Sequence, residues 1–142
     1  KEKHTHVLSG SFWSQAQWDH KAFTYFPARK VLGIPATGYH KDATDGVWYR
    51  RYSSVLKVFD IDTKDGIEER GFIEMNDVYA GAERPWDWWY RSARVSRSIF
   101  ADDYVYAISN VGVRVATLDD LKDPVATVSY DCDEECFNNW WW

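Results

Sequence analysis

The stretch SSVLKVFDIDTKDGIEERGFIEM, residues 53–75, decides how this chain folds. Val55, Leu56, Val58, Phe59 and Ile61 form a run rich in β-branched and aromatic residues, which suits a pleated, half-buried surface. The polar segment DTKDG follows, and its Asp65-Gly66 pair supplies the positive φ that a tight hairpin requires. Ile67 to Met75 then returns as a second strand. The segment therefore reads as one long antiparallel hairpin.

The same rhythm extends on both sides. Upstream, AFTYF (residues 22–26) turns at PARK into VLGIPA (residues 31–36), and the polar, Gly-bearing TGYHKDATDG loop leads to the central hairpin. Downstream, SIFA (98–101), YVYAIS (104–109), VRVATL (113–118) and VATVSY (125–130) are separated by DD, NVG and DDLKDP. The pattern predicts two sets of four short strands, each a meander. Two such meanders joined by a longer connection fit all-β, β-propeller-like architecture, with about two blades. An eight-stranded sandwich or barrel is the competing arrangement. The division expected is a first blade with an N-terminal segment over residues 1–75, an inter-blade aromatic loop over 76–97, a second blade over 98–130, and a Cys/Trp-rich tail over 131–142.

Composition agrees with sheet. The 142 residues include 9 Trp, 9 Tyr and 7 Phe, types favoured in strands. With 45% hydrophobic residues the chain has enough apolar side chains for a packed core. The net charge is −5 and the Lys and Arg residues are scattered, which argues against nucleic acid as a partner. No apolar run approaches the roughly 18–20 residues of a membrane-spanning helix. The start, KEKHTHVLSG, carries no leader or lipidation motif, so an exported form would be a mature or cut one.

Three pieces carry a family resemblance: DHKAFTYFPARKVLGIPA (19–36), LKVFDIDTKDGIEERGFI (56–73) and RSIFADDYVYAISNVGVRVATLDDL (97–121). In order and spacing they resemble the secreted bacterial and archaeal proteins with a C-terminal β-propeller domain. The resemblance implies propeller blades and a secreted, cell-surface or periplasmic location, and it brings no catalytic residues with it. The aromatic loop at 85–90 and the tail at 131–142 fall outside the recognised pattern.

Two blades do not close a propeller, which needs about four to eight. The expected partners are therefore the remaining blades, from the same protein or from other chains or copies. The function expected is a non-enzymatic extracytoplasmic module for binding or structural assembly. Two alternatives stand beside it: a hydrolase or lyase acting on extracellular polymer through propeller loops, and a calcium-binding structural module.

Spacing limits what the candidate residues can do. Asp19 and His20 lie side by side at the entry to the first strand. Adjacent strand residues face opposite ways, and no Gly-x-Ser-x-Gly elbow accompanies them, so a structural role in the turn is expected, with Ala22, Phe23 and Tyr25 packed between sheets. His4 and His6, two apart, would share one face of a strand and could join an acid around a metal; an exposed terminal strand is the simpler reading. Asp60, Asp62 and Asp65 suggest calcium, but Lys64 stands where an EF-hand needs an acid and Gly66 comes one place late. HKDATDG (40–46) makes the same weak claim. Trp86, Trp88, Trp89 and Tyr90 either cap the space between blades or offer a platform to a carbohydrate ring or a protein. Cys132 and Cys136 are too few for a cysteine zinc site, and a short disulfide is the simple reading in an exported chain. The FNNWWW end is expected to pack on its own propeller or on a partner.

Overall fold

The computed structural model describes residues 3–8, 11–39, 52–78 and 93–130. These residues form nine strands in two sheets: β1 Ser11–Trp13, β2 Thr24–Phe26, β3 Val31–Tyr39, β4 Tyr52–Asp62, β5 Gly66–Glu74, β6 Val95–Ala101, β7 Tyr104–Ser109, β8 Gly112–Thr117 and β9 Ala126–Ser129. Every pairing is antiparallel. The first sheet runs β1-β3-β4-β5, with β2 also on β3; the second is the simple meander β6-β7-β8-β9.

The 53–75 hairpin forms as read. β4 and β5 pair from Val55 opposite Glu74 to Asp62 opposite Gly66. Gly66 takes a φ of 97°, a value costly for any residue with a Cβ. The register shifts between Val58 and Phe59, so β5 carries an extra residue there, which bends the strand.

The first edge strand departs from the sequence reading. β1 and β2 share one edge of β3, β1 on residues 37–39 and β2 on residues 31–33. They run in the same direction, so they are two ends of one interrupted strand. Pro35 explains the gap. Its carbonyl faces this edge, where the Ser14 hydroxyl donates to it at 2.5 Å. In a strand the N–H would point the same way, and proline has none to give. The chain leaves the edge as two 3-10 turns, Gln15–Gln17 and His20–Ala22, and rejoins at Thr24. The first predicted strand is thus shorter than 22–26. Ala22 is buried as expected, but Phe23 and Tyr25 are exposed, because Thr24 and Phe26 take the inward positions.

The two sheets lie face to face. Val31, Leu56, Val58, Ile73 and Met75 of the first meet Val95, Val105, Ala107, Ala116 and Leu118 of the second in one buried cluster. Burying a side chain such as Leu56 stabilises by about 1.5–3 kcal/mol. Polar ties cross the same interface. The Val95 N–H donates to Ser54 Oγ at 2.9 Å, and the Thr24 hydroxyl donates to the Ser98 carbonyl at 3.2 Å. The Phe26 and Phe100 rings stack, with centroids 5.9 Å apart. At the rim, Arg114 holds Asp77 and the Glu74 carbonyl, and Arg70 joins Asp60 to the Leu118 carbonyl. Arg29 pairs with Asp103 across the sheets.

Gly33 marks the closest approach. A Cβ there would stand 2.7 Å from Ser98 Oγ and 3.1 Å from the Phe100 ring. Gly33→Val should therefore overpack the interface and lower unfolding stability by about 1–3 kcal/mol in urea denaturation. Ser98→Ala should cost little, because the buried Ser98 hydroxyl has no hydrogen-bond partner among the described residues.

Candidate functional site

Asp19 caps the second 3-10 turn, with its carboxylate accepting the Lys21 N–H at 2.9 Å. Its other oxygen accepts from Arg97 of β6 at 2.5 Å. The Lys21 N–H, helped by the Arg97 guanidinium, holds the Asp19 carboxyl below its usual range. Asp19 thus pins the turn, as expected, and also ties the first sheet to the second. His20 is exposed beside it. The neighbouring pair lies on a turn rather than on a strand.

The acidic hairpin does not gather its carboxylates. Asp60 takes the Arg70 guanidinium, with one contact of 2.7 Å. Asp62 accepts the Lys64 and Asp65 N–H groups at 2.8 and 3.3 Å and pairs with Lys30. The Lys64 N–H first, then the Asp65 N–H and Lys30, keep the Asp62 carboxyl low. Asp65 is exposed in the turn. Among the described residues no group of three or more His, Cys, Asp or Glu is placed to hold a metal. Trp86, Trp88, Trp89, Tyr90, Cys132, Cys136 and the 40–46 loop lie outside the described residues.

The feature with functional shape is the outer face of the second sheet. Ile99, Tyr104, Tyr106, Ile108, Val113, Val115 and Val128 alternate with the inward set along β6 to β9 and share this face. Ile99 is 53% exposed, Tyr104 45% and Val128 58%. A sheet apolar on both faces is one built to be covered on both. The alternation itself announced this: YVYAIS and VRVATL place apolar residues at both parities. With apolar residues at both parities the alternation alone does not separate the two faces; the packing of Val105, Ala107 and Ala116 inward does.

The outer face of the first sheet is different. Lys57 sits on it, 6% exposed, with its ammonium 2.6 Å from Glu69 and 5.4 and 5.7 Å from the centres of the Phe12 and Phe72 rings. A lysine inside VLKVFDI was the signal for this pair. The N-terminal segment runs over the same face. His6 meets the Phe59 ring edge-on at 5.3 Å and Glu69 at 3.8 Å, and His4 Nε2 donates to the Thr63 carbonyl at 3.2 Å. The two histidines do lie against one surface, but on a segment without strand pairing.

Two face-packed meanders, one with an outer face that no other described sheet covers, are what a propeller blade pair presents. Comparison with known families agrees: the model of the Beta propeller domain matches residues 1–121, and the chain belongs to that family. The match takes in the N-terminal segment and the 85–90 loop, and stops short of β9 and the tail. No curated protein and no solved structure gives a match. No helix among the described residues is long and apolar enough to cross a membrane.

The rim carboxylates have a pH consequence. Asp77, beside Arg114, is held low like Asp19. A group with a folded pKa below its unfolded value contributes stability above the unfolded pKa and loses it as pH falls through the folded one. The urea midpoint should therefore fall as pH drops from about 5 towards 2, and Asp19→Asn with Asp77→Asn should flatten that fall.

Proposed function

We propose that this chain is a non-enzymatic, extracytoplasmic module of binding or structural assembly, whose two sheets are adjoining blades of a propeller completed by further blades. Those blades come from the same protein or from other chains or copies. The observation that carries the reading is the outer face of the second sheet, against which no other sheet packs among the described residues. Ile99, Tyr104 and Val128 stand exposed on it, while the opposite face is matched to a neighbouring sheet. In a propeller each blade is sandwiched between two others.

The non-enzymatic reading is supported by the commitment of Asp19 to the Lys21 N–H and Arg97, which leaves it a structural tie. The family resemblance and the Cys132/Cys136 spacing support an extracytoplasmic setting. The aromatic segment at 86–90 would offer the ligand contact, to a sugar ring or a protein.

Light scattering of the isolated chain tests the central part. The chain should self-associate and bind an apolar dye, and Ile99→Lys with Val128→Lys should shift it to single copies and reduce dye binding. A chain that stays a single copy, unfolds cooperatively and binds no dye would contradict the proposal.

A further inference from the structure

The interrupted edge of the first sheet carries aromatic rings that stand outside the packing of the two sheets. Trp18 is 68% exposed, Phe23 52% and Tyr25 44%. Single exposed apolar side chains are ordinary, but three along one short edge mark a surface with a use. Trp18 and Phe23 hold matching places. Trp18 closes the 3-10 turn Gln15–Gln17 and Phe23 closes His20–Ala22, each with its backbone N–H. The ring takes no part in either closure.

The backbone beneath these rings is pinned along its length. The Ser14 hydroxyl accepts the Ala16 N–H at 3.1 Å and donates to the Pro35 carbonyl at 2.5 Å. The Asp19 N–H donates to the Gln15 carbonyl at 2.9 Å. The Asp19 carboxylate accepts from the Lys21 N–H and from Arg97, and Ala22 is buried between the two rings in sequence. Rings on a backbone already fixed lose little entropy when a ligand arrives, which is how aromatic anchors contribute most to binding.

The surroundings select the ligand. Gln17, His20 and Lys21 are exposed among the rings. The core of a protein interface is depleted of charge, whereas polar groups interrupt this surface. A sugar chain has the matching pattern. The C–H face of a pyranose lies against an aromatic ring, and its hydroxyls reach amide, imidazole and ammonium groups. Charge narrows the class. Asp19 is already paired with Arg97, so the exposed charge a ligand meets beside Trp18 is the Lys21 ammonium. The whole chain carries −5, so its general field repels a polyanion and the attraction has to be local. We propose that the turn region of the first-sheet edge binds an acidic polysaccharide, with Trp18 and Phe23 under its sugar rings and Lys21 on a uronate carboxylate. The site uses no residue of the outer face of the second sheet, so it stands apart from the completion of the propeller by further blades.

Calorimetric titration of the full chain with polygalacturonate, and with neutral dextran for comparison, tests the proposal. Polygalacturonate should bind and dextran should bind at least about tenfold more weakly. Trp18→Ala and Lys21→Gln should each weaken polygalacturonate binding by about tenfold, and Trp18→Tyr, which keeps a ring, should retain most of it. Raising salt from about 0.05 to 0.5 M should weaken the parent chain and leave Lys21→Gln less affected. Because both side chains are exposed, the variants should keep the circular dichroism and urea midpoint of the parent. Ile99→Lys with Val128→Lys should leave polysaccharide binding unchanged, which separates this site from blade docking. Absence of polygalacturonate binding, equal binding of dextran, or binding that survives Trp18→Ala or Lys21→Gln would each overturn the proposal.

Discussion

The structure depends on the close contact between the first sheet and β6. At Gly33 the backbone of β3 leaves room for Ser98 and Phe100, and nothing larger fits. That approach lets Ser54 reach the Val95 N–H and lets Phe26 stack on Phe100. Leu56, Val58 and Ile73 then find apolar partners in Val105, Ala107 and Ala116. Neither meander offers its own residues that cover, since one sheet can bury a face only against another layer.

Around this core the charges act as rim ties. Asp19–Arg97, Asp103–Arg29 and Asp77–Arg114 each join the first sheet or its flanking turns to the second. Each is partly exposed, so each contributes little alone. Their use is orientation: bidentate or capped geometry at several rim points permits one alignment of the sheets. The Asp19–His20 turn belongs to this set. Its place at the interruption in the edge strand follows from Pro35, which ends the ladder that β1 and β2 would otherwise continue.

Much of this was legible in the sequence. Seven of the strands follow the alternation closely, because tight turns such as DTKDG and DD leave the chain few alternatives. What was hidden depended on tertiary context. β1 is three residues long and has no periodicity of its own to detect. β3 and β4 extend into TGY and Tyr52 because they pair there with each other, not because of propensity. Phe23 and Tyr25 were expected inside; the 3-10 turn fixes the phase of β2 and turns them out. Lys57 is a charged residue inside the apolar VLKVF run, and its pairing with Glu69 depends on a residue twelve positions away.

The central claim is that the two sheets are one folding unit, blade packed on blade, rather than two modules tethered by a linker. Native-state hydrogen exchange tests it most directly. The amides of Leu56 and Val58 in β4 and of Val105 and Ala107 in β7 should open with the same free energy and the same denaturant dependence, that of global unfolding. Exchange of the β7 amides through a separate, lower-energy opening, while β4 stays protected, would contradict the account.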